Sequence, residues 1–317
     1  MIEAIGNTPL IKLQRLTGPD SADVYVKFEG GNPTGSMKDR MALAMIEGAE
    51  NRGDLQTGFT VVEYTGGSTG SSLAMVCAAK GYKTHFVSSD AFAMEKLQTM
   101  RAFGAELELI KSDGGMLTGE LIDRMIARTK ELSVEPDTFW PDQVNNPDNK
   151  KAYHKMAKEI IGESGPVVDE FITAEGGGGC FSGNSEIFKE QIPGIRCIAV
   201  EPYHVRNISG GDTSGKHRLE GIGLSFIPSI FRADLVDEVI SVSDQDAFET
   251  ARNLALTEGV FGGITSGANV WAAIQRAKIL GPGKKIVTVV IDSGLRYLDG
   301  DLYSLNQSVS DLSKQPR

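Results

Sequence analysis

One lysine, Lys38, follows a turn-forming stretch and stands at the start of a predicted helix. Residues 32–40 read NPTGSMKDR; the asparagine, proline and glycine disfavour continuation of a strand, and Ser36 is a residue type that caps helices. A lysine held there and shielded from water has a lowered amine pKa, the property that a Schiff-base lysine needs. A solvated surface lysine remains the alternative, because burial is not visible in these nine residues.

Two glycine-rich segments follow predicted strands and are of the kind that binds anions. Residues 65–70 read TGGSTG, and residues 175–180 read EGGGGC. Glycines permit close approach of the backbone, and the amides of a helix's first turn attract anions. For Ser68 or Thr69 a helix cap is an equal alternative. The four glycines at 176–179 favour a phosphate cradle over a plain turn, and no Walker lysine follows them.

Two further glycine-rich segments lie later in the chain. Residues 220–224, EGIGL, predict either a flexible wall beside a ligand or an ordinary bend. Residues 262–267, GGITSG, open a predicted helix. There Thr265 and Ser266 are expected to cap the helix, and a hydroxyl that faces a ligand is the alternative.

Histidines and cysteines are not spaced as metal ligands, so we predict no metal site. The four histidines and three cysteines are widely separated, and the cysteines suit packing roles in a reducing compartment; these residues are His85, His154, His204, His217, Cys77, Cys180 and Cys197. What remains is a lysine amine, a phosphate cradle and several hydroxyl and amide donors. This set points to an aldehyde cofactor that bears a phosphate, pyridoxal phosphate.

The elements that must position these residues alternate between short apolar runs and longer segments of helical period. This alternation predicts an α/β fold of parallel sheets covered by helices, with ligands at the carboxyl ends of the strands. A polar loop with two prolines, at 141–147, marks a boundary between two domains. The predicted strands cover 24–28, 60–63, 84–87, 168–173, 197–200 and 285–291, and the predicted helices cover 38–51, 68–80, 94–103, 118–132, 151–161, 245–258 and 267–280.

Bulk properties exclude several classes of function. The chain has 317 residues, a formal charge of -10 and no long basic run, which argues against nucleic-acid binding. No apolar stretch approaches the length of a membrane span, and the N-terminus lacks the pattern of a secretion signal. We therefore expect a cytoplasmic globular enzyme.

Several separate motifs, in collinear order over nearly the whole chain, resemble the β family of pyridoxal-phosphate enzymes, specifically the cysteine synthase and O-acetylserine sulfhydrylase group. The resemblance implies fold type II, as in the tryptophan synthase β subunit, with two domains of twisted, mostly parallel sheet. It implies a smaller mobile substrate-binding domain at 36–146, with residues 1–8, and a larger cofactor-binding domain at 9–35 and 147–317. The matching motifs lie at 5–10, 32–40, 142–149, 220–228, 263–267 and 292–298.

The resemblance also implies roles for single residues. Lys38 would form the internal aldimine and move protons at the substrate Cα, and Thr265 would hydrogen-bond the pyridine nitrogen. The phosphate would lie against Gly176, Gly177, Gly178, Gly179 and Cys180, with Ser68 also at the cofactor. The residues implied for the amino-acid substrate and its carboxylate are Thr65, Gly66, Gly67, Ser68, Thr69, Gln143 and Gly221.

The family's carboxylate loop usually reads TSGNTG, so two positions depart from it. This chain has Gly66 at the serine position and Ser68 at the asparagine position. Ser68 is shorter than asparagine, which reduces its reach towards the cofactor. The phosphate loop also has fewer hydroxyl donors than usual, with Gly177, Gly178 and Cys180 in their places.

The implied reaction is β-replacement on O-acetylserine or O-phosphoserine with sulfide, giving L-cysteine through an α-aminoacrylate. The departures leave open a different nucleophile or leaving group: β-elimination, or a cystathionine or diaminopropionate-type synthesis. A non-catalytic paralogue that binds an amino acid or a peptide is an alternative of another class, and a nicotinamide oxidoreductase is a third. A homodimer, and a serine acetyltransferase tail docked at the site, are expectations from the resemblance.

Overall fold

In a computed structural model, which describes residues 1–116, 118–165, 167–224 and 226–304, ten strands form two sheets. All neighbouring strands run parallel except the first pair. The larger sheet has the spatial order β1 (Leu10–Lys12), β2 (Asp23–Phe28), β10 (Lys285–Val290), β7 (Glu170–Ala174), β8 (Arg196–Pro202) and β9 (Glu238–Val242). The smaller sheet has the order β5 (Glu106–Ile110), β4 (Lys83–Ser89), β3 (Thr60–Tyr64) and β6 (Thr138–Phe139).

The centre of the larger sheet consists of strands buried on both faces. Val287 of β10 lies opposite Tyr25 of β2 on one side and Phe171 of β7 on the other. All five residues of β7 are buried, as expected of a parallel strand covered by helices on both faces. Because the strands are parallel, their carboxyl ends meet along one edge, where the loops after them come together.

Eight α-helices cover the sheets among the described residues, and several show clear start and stop signals. Asn146 caps one helix by accepting from Asp148 N at 2.9 Å, with Pro147 in the first turn, while Gly53 ends another in a left-handed conformation. The helices are α1 (Lys38–Arg52), α2 (Ser68–Lys80), α3 (Met94–Ala102), α4 (Gly119–Ser133), α5 (Pro147–Ser164), α6 (Gly179–Gln191), α7 (Asp244–Asn253) and α8 (Ile264–Leu280).

The apolar residues form one large cluster and one small cluster. The large cluster runs from the larger sheet through Met41 and Met45 of α1 and Leu73 of α2 to Val61 of β3, so the two sheets share a core. The small cluster packs α4 against the smaller sheet and contains Val62, Val87, Leu121, Met125 and Leu132. The helices α1 and α2 therefore join the two sheets.

The α/β prediction is confirmed, and the predicted strands and helices correspond to observed elements. The predicted helix 245–258 is α7 up to Asn253 and then a π-helical turn, Leu254–Glu258. Four strands were not predicted: β1, β5, β6 and β9. The end of the predicted larger domain, 305–317, lies outside the described residues, and the domain boundaries stay a prediction. No helix in the described ranges is both long and apolar enough to cross a membrane.

Candidate active site

The loops that the sequence singled out meet at the carboxyl edge of the larger sheet. Met37 N donates to Ile291 O at 2.9 Å, just after β10, and Ser36 bridges to Asp292. This pairing places Lys38 at the first turn of α1, beside the end of the sheet. Ser36 is not the helix cap: Met37 holds that position, and Ser36 Oγ instead accepts from Lys38 N at 3.3 Å.

The neighbours of Lys38 are tied to other elements, which fixes where its side chain starts. The Thr34 backbone and hydroxyl donate to the Asp39 carboxyl at 2.8 and 2.5 Å. Arg40 is buried and pairs with Glu29 and Glu159, each at 2.7 Å. Burial lowers the pKa of Lys38, while nearby Cys180, Glu175 and Asp292 act in the opposite sense. The neutral amine of Lys38 is therefore easier to form than that of an exposed lysine.

The glycine run after β7 is close enough to other groups that side chains would collide there. A Cβ on Gly176 would lie 1.9 Å from Gly221 O, and one on Gly179 would lie 2.1 Å from Asn149 Oδ1. Gly178 has a left-handed backbone with φ of 80°. Because α6 begins at Gly179, the run also brings the amides of a helix N-terminus into the loop, an arrangement that suits a phosphate.

A buried acid, Glu175, directly precedes the glycines and was not predicted to matter. Burial raises its pKa to about 8, while backbone groups of Gly178 and Gly176 and the charge of Lys38 act to lower it. Its Oε1 has no hydrogen-bond partner among the described residues. The sequence signal was present, since an acid at the end of a fully buried strand is unusual.

Cys180 lies in the first turn of α6, where it is buried and weakly hydrogen-bonded. Asn184 Nδ2 lies 3.6 Å from its sulfur and Thr173 Oγ1 lies 3.9 Å from it. Burial raises the pKa of the thiol to about 12. The thiol is therefore neutral, and the helix amides rather than the side chain are the available donors for an anion.

The 65–70 loop joins β3 to α2 and contacts Gln143. Thr65 Oγ1 accepts from Gly70 N at 3.0 Å, and the Thr69 hydroxyl donates to Gln143 Oε1 at 2.8 Å. Gly67, rather than Ser68 or Thr69, is the N-cap residue of α2. The structure therefore brings this loop and Gln143 into contact, and their role in binding the substrate stays a prediction.

The two positions that depart from the family pattern each meet a side chain from another segment. A Cβ on Gly66 would lie 2.0 Å from ring atoms of Phe92, so the phenyl ring occupies the space of a side chain at position 66. Arg296 Nη2 donates to Ser68 Oγ at 3.1 Å, and Nη1 donates to Thr34 O at 2.8 Å. Arg296 thus links the 65–70 loop to the turn before Lys38.

The two remaining glycine segments also join the site. The Thr265 hydroxyl donates to Glu220 O at 2.8 Å, and Ser266 Oγ accepts from Ile291 N at 2.9 Å. The expectation that Thr265 or Ser266 caps the helix was wrong, because Gly263 is the N-cap residue of α8. Glycine is needed at this cap because a Cβ there would lie 2.5 Å from Asp292 Oδ1.

Asp292 is a second buried acid that the sequence did not single out, although it lies within a matching motif. The Tyr297 hydroxyl donates to its Oδ2 at 2.7 Å, and its Oδ1 has no partner among the described residues. Burial raises its pKa. Within the same residues, no group of three or more His, Cys, Asp or Glu side chains is arranged to hold a metal ion.

These residues fit a phosphate-bearing aldehyde. A buried amine of lowered pKa, a glycine cradle at a helix N-terminus and unpartnered buried oxygens of Glu175 and Asp292 surround one place. Lys38 would attach the aldehyde, and the amides at 176–180 would hold the phosphate. A family model described as "Pyridoxal-phosphate dependent enzyme" matches residues 1–292.

Three similar proteins extend this comparison. A cysteine synthase of Staphylococcus aureus (strain Mu50) is 42% identical over 306 residues, covering 96% of this chain and 96% of that protein. A hydrogen sulfide-producing enzyme from Fusobacterium nucleatum has a TM-score of 0.86 and 39% identity, covering 94% and 98% of the two chains. An O-acetylserine dependent cystathionine beta-synthase from Helicobacter pylori has a TM-score of 0.87 and 37% identity, covering 96% and 98%.

Proposed function

We propose that this chain, which belongs to the pyridoxal-phosphate dependent enzymes and is cysteine synthase-like within them, replaces the oxygen substituent at Cβ of an activated L-serine with sulfide. The activated serine would be O-acetylserine or O-phosphoserine, and the product L-cysteine. The observation that carries the proposal is the placement of Lys38, whose amine pKa is lowered by burial, beside the glycine run at the start of α6. When bound, pyridoxal phosphate supplies the electrophilic carbonyl and the electron sink for chemistry at the substrate Cα.

Lys38 has two tasks in this proposal. Its amine would hold the cofactor in the resting enzyme, and the same amine would remove the Cα proton of the substrate and later return it. Both tasks need a neutral amine, which burial favours. The bonds that hold Thr34, Asp39 and Arg40 keep the start of α1 in place while the lysine side chain moves.

The α-carboxylate of the substrate is assigned to the 65–70 loop and Gln143. The backbone amides at the start of α2 attract an anion, and the helix dipole adds to that attraction. The Thr69 hydroxyl donates a hydrogen bond to Gln143 Oε1. This bond orients the Gln143 amide and leaves its NH2 group to donate to a carboxylate.

Thr265 is assigned to the pyridine nitrogen of the cofactor. In this structure its hydroxyl donates a hydrogen bond to Glu220 O. A bond in which Thr265 donates to the ring therefore requires the hydroxyl to turn away from that carbonyl. A neutral partner of this kind does not favour ring protonation as a carboxylate would, which suits β-elimination and replacement.

A second candidate function uses the same site with another nucleophile or another leaving group. It is favoured by the Phe92 ring at Gly66 and by Arg296 at Ser68, which change the loop that receives the substrate. The names of the similar proteins include sulfide production and cystathionine synthesis as well as cysteine synthesis. Elimination, cystathionine synthesis and diaminopropionate-type synthesis are its forms.

A substrate panel tests both candidates. The purified protein is mixed with O-acetylserine or O-phosphoserine, with sulfide, homocysteine or an amine as nucleophile, while visible absorption of the bound cofactor and product formation are followed. We expect absorption changes on adding the activated serine and the fastest product formation with sulfide. Faster turnover with another nucleophile would replace cysteine synthesis by the second candidate. Lys38→Ala, the control, should lose the covalent cofactor signal and turnover.

Three further proposals follow from the family resemblance alone. We propose a homodimer in the cytoplasm, a docking place for a serine acetyltransferase tail at the site, and closure of residues 36–146 against the rest of the chain on carboxylate binding. Light scattering at several protein concentrations tests the dimer. Small-angle scattering with and without an amino-acid ligand tests the closure, for which we expect a decrease in radius of gyration.

A further inference from the structure

We propose that Glu63 is a positioning residue: its buried carboxyl holds the backbone of Gln143 and so sets where the Gln143 amide meets the amino-acid substrate. This inference rests on the proposed function, in which Gln143 binds the α-carboxylate. Glu63 lies in β3, two residues before Thr65 of the 65–70 loop. It would therefore link the end of β3 to the 65–70 loop and to Gln143, the two parts of the proposed carboxylate site.

The carboxyl of Glu63 receives donors from three residues. Oε1 accepts from Trp140 Nε1 at 2.9 Å and from Tyr64 N at 3.1 Å, and Oε2 accepts from Gln143 N at 3.2 Å. The side chain is fully buried. A carboxyl without water depends on such donors, because its desolvation is costly when it is unsatisfied. Glu63 thus ties β3 to the segment at 140–143.

That segment does not hold its own shape through regular structure. Asp142 has a left-handed backbone, with φ of 49°, which is uncommon for a residue with a side chain. Such a conformation persists where surrounding bonds determine it. The bond from Gln143 N to Glu63 is one, and the bonds from Asn145 N and Asn146 N to Asp142 O, both 3.0 Å, are others.

Every polar group of Gln143 has a neighbour within 3.5 Å. Its carbonyl accepts from Asn149 Nδ2 at 2.6 Å, and its Oε1 accepts from Thr69 at 2.8 Å. Its Nε2 lies 3.5 Å from Tyr64 O, a long contact that leaves donor capacity for a ligand. The hydrogen bond from Thr69 to Oε1 fixes the orientation of the Gln143 side-chain amide, and so it also fixes the direction of the NH2 group. A shift of the Gln143 backbone would therefore move this NH2 group.

Glu63→Gln distinguishes this role from simple packing. The amide has nearly the same shape, and its oxygen can still accept from Trp140 and Tyr64. Its NH2 group, however, would face the Gln143 N–H group. Both groups are donors, so the hydrogen bond from Gln143 N would be lost. The matched control is Trp140→Phe, which removes one donor to Glu63 and keeps a ring beside Tyr64, but leaves the bond to Gln143 N unchanged.

The test is steady-state kinetics of the cofactor-loaded enzyme. Glu63→Gln should raise KM for the activated serine roughly three- to tenfold, the effect of losing one buried hydrogen bond, with kcat and the visible absorption of the resting enzyme little changed. Trp140→Phe should change KM less than twofold. Gln143→Ala should raise KM, and adding Glu63→Gln to it should raise KM no further.

Three results would overturn the inference. The first is an unchanged KM in Glu63→Gln while Gln143→Ala raises it, and the second is an additive effect in the double variant. The third is an unchanged KM in Gln143→Ala, in which case the assignment of Gln143 to the substrate fails and this inference fails with it. If the wild-type protein shows no cofactor absorption, the proposed function fails. Should Glu63→Gln not fold, Glu63→Asp takes its place: its shorter carboxylate should raise KM, relative to Trp140→Phe, by lengthening the bond to Gln143.

Discussion

Substitution of Gly66 by serine, the residue usual at this position in the family, should destabilise this protein. The Cβ of a residue at 66 would lie 2.0 Å from Cγ and Cδ2 of Phe92. Ordinary carbon contacts are about 3.5–4.0 Å, so the ring or the loop must move by roughly 1.5 Å. The Phe92 ring packs against both apolar clusters. Its displacement therefore disturbs packing on both sides of the smaller sheet.

The expected cost of Gly66→Ser is that of overpacking a core. Such insertions cost about 1–3 kcal/mol in unfolding free energy. A cost of this size lowers the melting temperature by about 2–4 °C per kcal/mol in a protein of 150–250 residues, and by less in a longer chain. Since the same loop is assigned to the substrate carboxylate, KM for the amino acid should rise as well. When Phe92 is already alanine, the cost of Gly66→Ser in unfolding free energy should fall to within about 0.5 kcal/mol of zero, because the collision is then absent.

Denaturant unfolding of four chains measures this cycle: wild type, Gly66→Ser, Phe92→Ala and the double variant, all with the same cofactor content. Gly67→Ser is the matched control for stability. Nothing lies within 4 Å of a Cβ at Gly67, its φ is -134°, and serine is favoured at this helix N-cap position. Equal stability of Gly66→Ser and Gly67→Ser would refute the proposed collision, and so would a cost of Gly66→Ser that is the same with and without the Phe92 ring.

Three further outcomes are expected. Burial raises the pKa of Glu175 to about 8, so the cofactor-free folded protein binds more protons than the unfolded chain between roughly pH 4.5 and 8. As pH rises across that window, the free energy of unfolding should fall more steeply in wild type than in Glu175→Gln. Denaturant titration at each pH measures this difference. Lys38→Met should stabilise the cofactor-free protein at pH 7, with the gain shrinking as pH rises, because burial lowers the pKa of Lys38. Gly176→Ala should lose cofactor on dialysis, because its Cβ would lie 1.9 Å from Gly221 O, whereas Gly162→Ala in α5, away from the cradle and with nothing within 4 Å of its Cβ, should retain cofactor.

The fold could be predicted from the sequence to the extent that it depends on local pattern. Long apolar runs such as β10 and periodic helices such as α8 were found because burial on both faces leaves a strong signal. The short strands β1 and β6 and the partly buried β5 and β9 carry a weak signal. The placement of β10 between β2 and β7 is a non-local pairing that no run of residues encodes by itself.

Candidate site residues can be predicted where glycines and turn residues mark them in the sequence. They cannot be predicted where their role depends on burial, which the sequence does not show. The turn before Lys38 and the four consecutive glycines indicate Lys38 and the cradle as candidates, and their roles stay a prediction. Glu63 and Glu175 were missed because an acid in a sequence looks solvated unless its partners are known. Their pKa values are raised to about 8 by the fold that surrounds them, not by the residues beside them in the chain.

The departures at Gly66 and Ser68 are coupled to residues outside the loop, and this changes how the loop bears on substrate choice. The Phe92 ring takes the place of a side chain at 66, and Arg296 holds the Ser68 hydroxyl while also holding Thr34 O. Restoring the family's TSGNTG sequence alone would therefore place a serine at position 66 against the Phe92 ring. It would also remove the Ser68 hydroxyl, which accepts a hydrogen bond from Arg296. A change of specificity would need position 92 to change with position 66, since the loop and the ring share one volume.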